Sequence, residues 1–342
     1  MSFIRGGGGK KVASIHVVIC LWFGFIQYGL AEIKTSIDNV PNSTELAKVV
    51  AIRVEGEIFS ETLEAIDDDI GEELIIYEKV VSPDTTVEHI SNLIHTVSPK
   101  AIILFGNSPV SLYKKYQQLH PEANFPPSIT VSAIHVDRLI TGIKNIVGIR
   151  YEVPAITSLV HMRMLSDMPI RRVGVIYRAW LDEQIEINRE LCKLEEFELV
   201  TVRLPNRVSF QKFSYHLRHL LDRDDIDALW VVNDNALLSP RVIQNGWLPA
   251  IRHFDKPVVV GTEELTRDDI KFGTFTVIPD HYALGIQAAQ IVANIMENNW
   301  VIEKETIYHP ISISKILNLK LAKSKNMEID ETILETIDVV LY

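Results

Sequence analysis

The chain has 342 residues, of which 47% are hydrophobic and 23% charged, with 16 Gly and 15 Pro. These proportions exclude a disordered or low-complexity chain, and the length suffices for two lobes that each bury a core. A formal net charge of −11 without any dense basic run excludes a nucleic-acid partner.

In chain order, the first segment is unlike the rest. Arg5, Lys10 and Lys11 form a basic start, and residues 12–26 are an apolar run broken only by Ser14, His16 and Gly24. Gly29 and Ala31 then stand three residues and one residue ahead of a cut before Glu32. This three-part pattern predicts that residues 1–31 are a cleaved signal peptide, since the apolar run is short for a spanning helix. An uncleaved anchor is the alternative. Cleavage removes Cys20 and leaves Cys192 alone, so no internal disulfide forms in the mature chain. Val18 and Ile19, not small residues, precede Cys20, so a free exported protein is expected in place of a lipid-anchored one.

From residue 47 onward, apolar β-branched runs alternate with segments of helical period. Residues 48–54 (KVVAIRV), 74–80, 101–105 (AIILF) and 128–132 are predicted strands, with helices over 60–70, 87–97 and 108–118. The pattern restarts with strands over 172–177 (RVGVIY), 199–203, 228–232 (ALWVV) and 257–261 (PVVVG). Helices over 182–195, 210–221 and near Leu237 separate them; a short strand over 274–277 then precedes a long helix over 281–297. The spacing predicts right-handed βαβ units and an α/β fold of two doubly wound parallel-sheet lobes, and no recurrent period indicates a solenoid. Ligands of open α/β sheets sit beyond the carboxyl ends of the strands, so two facing lobes make a cleft that a hinge closes.

The residues after each strand are therefore the candidates for binding. Asn107 and Ser108, followed by Pro109, read as a helix start, and the same exposed N–H groups and hydroxyl suit an anionic ligand group. His135 and Asp137 follow the fourth strand, His135 as loop residue or as contact. Tyr177 is followed by Arg178, which suits a carboxylate, and by Trp180, which suits a flat or cationic ligand, though both also suit ordinary surface. Asn233, Asp234 and Asn235 directly follow an apolar strand, where short polar residues suit either a turn or a ligand ammonium or hydroxyl. Glu263 is a further candidate or a helix N-terminal charge.

Catalytic signatures are missing from the sequence: there is no GxSxG, GxxxxGK[ST], HExxH or CxxC, so no enzyme activity and no cofactor are expected. His216, His219 and Asp222 share a helical row, but Arg218 and Arg223 flank it, and a solvated face is expected in place of a metal site.

Six segments in order carry a resemblance: VGIRYEVPA (147–155), RRVGVIYRAW (171–180), DALWVVNDNALLS (227–239), PVVVGTEEL (257–265), VIPDHYALGIQAAQIVANIM (277–296) and ILNLKLAKSKNMEID (316–330). Together they resemble the substrate-binding proteins of ABC transporters that include the tryptophan-binding TrpX type. The resemblance implies a type I periplasmic-binding fold whose chain crosses between lobes near 147–151, 277–280 and 307–312. It places 47–147 plus 281–300 in an N-lobe and 148–280 plus 303–342 in a C-lobe. It also implies that Asn107, Ser108, Asp137, Tyr177, Asn233, Asp234, Asn235, Glu263 and Asp280 line the cleft, with Asp234 the foremost contact and Tyr151 at the first crossing. The family's His-Pro…Leu-Asp loop is replaced by Glu55-Gly56-Glu57-Ile58-Phe59, and its Asp-Pro by Val136-Asp137-Arg138. Both departures leave the first lobe's part in ligand choice open. The implied role is a periplasmic protein that hands a small organic molecule, such as an aromatic amino acid, to an ABC permease. The alternative is a sensor that presents it to a membrane histidine kinase or cyclase.

Overall fold

The computed structural model describes residues 46–342 except residue 167. The expected signal segment lies outside them. No helix among the described residues is long and apolar enough to cross a membrane.

The first five strands are β1 (Ala47–Val54), β2 (Leu74–Val81), β3 (Ala101–Phe105), β4 (Ser128–Ala133) and β5 (Ile146–Arg150). The next five are β6 (Arg172–Arg178), β7 (Glu198–Leu204), β8 (Ala228–Trp230), β9 (Val258–Val260) and β10 (Phe275–Pro279), followed by β11 (Ile307–Tyr308), β12 (Ile313–Asn318) and β13 (Val339–Leu341). One sheet has the order β2-β1-β3-β4-β5-β11, and the other β7-β6-β8-β9-β10-β12-β13. Both cores repeat one winding: the second strand lies outside the first, and the rest extend the other way. In such a sheet the order reverses beside the first strand, and a crevice opens there. β12 runs antiparallel to β10, and β13 pairs parallel with β12, so these two edge strands run opposite to the rest of their sheet.

Every residue of β3, β4 and β10 is buried, as expected of parallel strands covered by helices on both faces. The helix Val87–Val97 shows the complementary pattern. It buries Ile90, Ile94 and Val97 along one stripe and stops at Ser98, which takes the left-handed conformation (φ 51°).

The chain passes between the sheets three times: after β5, after β10 and between β11 and β12. β5 stays in the first sheet as far as Arg150, and Ile307–Tyr308 returns to pair with Gly148 and Ile149. Residues 148–150 and 307–308, expected in the second lobe, therefore pair within the first sheet. The helix Ala155–Leu165 was not expected. Its apolar residues run nearly all round it, so no single stripe marks it, and its first amide is held by Asn188 Oδ1 at 2.7 Å. β8 ends at Trp230 in place of residue 232, and the helix expected near Leu237 begins at Pro240.

The long helix His281–Glu297 follows β10 but buries Leu284, Ala288, Val292 and Ile295 in the first lobe's core. It lies so close to the helix Glu57–Ile70 that a Cβ at Gly285 would stand 2.4 Å from the Thr62 carbonyl oxygen and 2.5 Å from Ala65 Cβ. The neighbour at the shorter distance is backbone, which cannot swing aside. Gly285→Ala is therefore expected to destabilise the protein by about 1–3 kcal/mol through overpacking, exceeding the ~1 kcal/mol that alanine gains over glycine in helix propensity. Thermal unfolding monitored by circular dichroism checks this; an unchanged or raised melting temperature would refute the close-packing account.

Candidate functional site

The carboxyl ends of β4 and β5 in one lobe, and of β6, β8 and β9 in the other, carry the loops that meet at the lobe boundary. The second lobe's side is organised by Asp234. This side chain is 1% exposed, and its carboxylate accepts five hydrogen bonds. Arg178 donates twice in a fork (Nε and Nη2, both 2.7 Å), Trp180 Nε1 donates at 3.0 Å, and the amides of Ala236 and Leu237 donate at 2.9 and 3.2 Å. Burial pushes this carboxyl upward. The Arg178 bonds, the Leu237 amide and the Trp180 indole outweigh that and hold it below the ordinary carboxylate value.

This overturns the free ammonium contact expected of Asp234, because every favourable lone-pair direction is already taken. Arg178 and Trp180, expected to meet a ligand, are turned onto Asp234 for the same reason. Arg178 also donates to the Asn206 carbonyl at 2.9 Å. The turn reading of the Asn-Asp-Asn segment fits these bonds.

Several other candidates have structural engagements. Asn107 clamps the chain after β4, donating from Nδ2 to the Ile134 carbonyl at 3.1 Å and accepting the Ile134 amide at 2.9 Å. Asp280 caps the helix His281–Glu297 by accepting the Ala283 amide at 2.7 Å. Tyr177 lies in the second lobe's core, where burial raises its phenol and Asp182 adds to the shift. Asp137 is exposed and stands 3.8 Å from Arg150, while Ser108 and Asn235 are exposed and Glu263 lies 3.8 Å from Arg267. Tyr151 stacks on His281 with ring centroids 6.1 Å apart and bonds its Nε2 at 3.1 Å, which ties the first crossing to the second. Burial raises the Tyr151 phenol, with Glu264 and Glu263 adding to it.

His135 is the candidate that touches both lobes. It sits after β4 in the left-handed conformation (φ 54°), and its Nε2 lies 2.7 Å from the Asn233 carbonyl oxygen across the boundary. Its Nδ1 is 3.1 Å from Glu152 Oε1, and its ring meets Trp180 edge-on at 4.7 Å. Arg138 adds a second bridge, donating to the Trp180 carbonyl, with its guanidinium 5.6 Å from the Trp180 ring. A cavity of about 550 Å³ opens beside these bridges, lined from one side by Lys114, Lys115 and Arg138 and from the other by Trp180 and Asn235.

Sequence reasoning missed Ser132 and Glu152. Ser132 Oγ, Glu152 Oε2 and Asn233 Oδ1 are all buried and have no hydrogen-bond partner among the described residues. Burial pushes the Glu152 carboxyl above the ordinary carboxylate value, while His135 and its amide pull the other way. A buried polar atom left unpaired costs about 1–3 kcal/mol, so a group on this boundary invites explanation. The signal for Glu152 was its place: a charged residue inside an otherwise apolar crossing, residues 147–155. Among the described residues no group of three or more His, Cys, Asp or Glu side chains is arranged to hold a metal ion. Cys192 is buried in the second lobe's core, and burial pushes its thiol up to about 12.

The Asp234 geometry has a stability consequence. Asp234→Asn leaves the Arg178 fork half unpaired and is expected to cost about 2–3 kcal/mol, a fall of roughly 5–10 °C in melting temperature. Because the folded-state pKa is lowered, this stabilisation is present above about pH 4 and is lost as pH falls through the folded value. The acid-dependent loss should be smaller in the Asn variant when both are melted between neutral pH and about pH 3. Equal melting temperatures at neutral pH would remove the structural role.

No family model and no curated protein matches the chain. Solved structures do. A ligand-free, open substrate-binding protein with adhesive properties from Clostridium difficile superposes with a TM-score of 0.65 at 15% identity, over 86% of this chain and 99% of the other. A domain from Streptococcus pneumonia in complex with L-Trp gives 0.59 at 15% identity, over 87% and 100%. A conserved domain protein from Vibrio cholerae gives 0.58 at 15% identity, over 86% and 100%. With two sheets of one winding, three crossings and these likenesses along nearly the whole described chain, the protein has the two-lobed α/β fold of the type I periplasmic binding proteins.

Proposed function

We propose that this protein binds a small organic molecule between its lobes and carries it, after export to the periplasm, to an ABC permease. The observation that carries this is a set of unpaired buried oxygen atoms where the lobes meet: Ser132 Oγ in the first lobe, Glu152 Oε2 in the crossing and Asn233 Oδ1 in the second lobe. Asn233 Oδ1 only accepts, Glu152 Oε2 accepts when its carboxyl is ionised, and the Ser132 hydroxyl does both. A ligand bearing ammonium, amide or hydroxyl donors suits these atoms, which come from both sides of the boundary. Binding energy then drives closure, because the open form offers these atoms water and the closed form offers them the ligand.

Fold likeness supports the reading. The superposed proteins include one named as a substrate-binding protein and one holding L-Trp, and an amino acid supplies the required ammonium. The bridges from His135 and Arg138 to the second lobe act as the closing contacts, with few enough bonds for the lobes to part.

Mass spectrometry of small molecules released from the purified protein identifies the ligand. Adding that ligand to stripped protein should lower the radius of gyration in solution scattering. His135→Ala should weaken binding by about tenfold, the worth of one hydrogen bond of roughly 1–1.5 kcal/mol. A scattering curve that stays the same at saturating ligand would sink the closure model.

A further inference from the structure

The second lobe contains another cavity, of about 630 Å³, that no residue of the first lobe lines. It lies beyond β6, β7 and β8, and its lining includes Arg178, Ala236 and Leu237, all three of which bond to Asp234. Three arginines line it, Arg178, Arg207 and Arg241, and no Asp or Glu does. That composition is unexpected in a chain of net charge −11. Arg178 is committed to Asp234, but the guanidinium groups of Arg207 and Arg241 have no hydrogen bond or ion pair among the described residues.

The floor is apolar. Val208, Phe210 and Phe213 line it, and Phe210 and Phe213 belong to the helix Phe210–Leu221, whose amino end opens at the cavity beside its cap, Ser209. The helix over residues 240–251 widens there into a π-helical turn, Ile243–Trp247. That turn brings Gly246 against the floor so closely that a Cβ would stand 3.0 Å from the Phe213 ring and 3.2 Å from the Phe210 ring. Such turns interrupt α-helices rarely and recur at functional sites. Here the turn fixes two rings as a rigid floor below two unpaired cations.

We infer that this cavity is a second binding site, for a small organic anion that carries a phosphate or carboxylate on an apolar body. Guanidinium forks match the planar or tetrahedral oxygen pattern of both groups, and the helix amino end adds favourable potential. The volume lies within the range of ligand pockets. None of Ser132, Glu152 and Asn233 lines this cavity, so its test is separate from that of the proposed transport role.

Calorimetric titration with phenyl phosphate and with benzoate tests it, with inorganic phosphate as the anion lacking an apolar body. At least one of the two aromatic anions should bind at millimolar concentration or better, about tenfold more tightly than inorganic phosphate, and more weakly as salt is raised. Preference between them identifies the acidic group. The double variant Arg207→Gln, Arg241→Gln should lose at least tenfold in affinity while keeping its circular dichroism spectrum, since both side chains are exposed. The variant Glu152→Gln, Asn233→Ala should bind the same anion as tightly as the unaltered protein. Three results would each overturn the inference: neither aromatic anion binds, the arginine variant binds unchanged, or the lobe-boundary variant alone loses binding.

Discussion

The fork between Arg178 and Asp234 sets the geometry of the second lobe's binding face. Arg178 ends β6 and Asp234 follows β8, neighbouring strands of the sheet, so the pair ties two loops that the sheet alone leaves free. A carboxylate taken from water repays its desolvation only when its oxygens are fully hydrogen-bonded, and five donors meet that condition. The loop over residues 233–237 thereby has one arrangement, and in it the Asn233 carbonyl faces the first lobe. The contact with His135 depends on that placement, as does the orphaned Asn233 amide oxygen beside it. The same fork turns the Trp180 indole inward and leaves its carbonyl for Arg138.

The first lobe answers with a different device. His135 is held from behind by Glu152, a residue of the crossing itself, so the group that touches the second lobe is anchored to the hinge. Tyr151, next along, stacks on His281 where the second crossing enters its helix. Two of the three crossings are thus joined by one buried ring pair. Gly285, one turn into that helix, then lets it settle on the helix Glu57–Ile70 as part of the first lobe. Motion of the lobes and the polar boundary are connected through residues 150–152 and 280–285.

Much of the fold was legible because the strands are buried on both faces. AIILF and, after Arg172, VGVIY are short apolar runs rich in β-branched residues, and their length between helical segments marks them as covered parallel strands. The helices Val87–Val97, Phe210–Leu221 and His281–Glu297 had the bounds that their spacing predicts. What was lost had weaker signals. β5 looks like a linker because Gly148 and Arg150 interrupt it, and β11 has only two residues. The site was less legible than the fold. Position relative to the strand ends pointed to the loops after each strand, and Arg178, Trp180 and Asp234 were read as ligand contacts or as surface and turn residues, whereas they bond to one another. Such pairing is invisible in one dimension: residues 178 and 234 lie far apart in sequence, and only the sheet order makes them neighbours. Ser132 and Glu152 carry no motif at all, and their interest arises from burial without a partner.

Three covalent links between two lobes have a consequence for how the molecule breaks. A single cut by a protease in any one crossing leaves two strands of chain still holding the lobes, with the sheet pairing of β5 to β11 and of β10 to β12 unbroken beside it. The nicked molecule keeps its pieces in register, so a cut in one crossing does not release a free lobe.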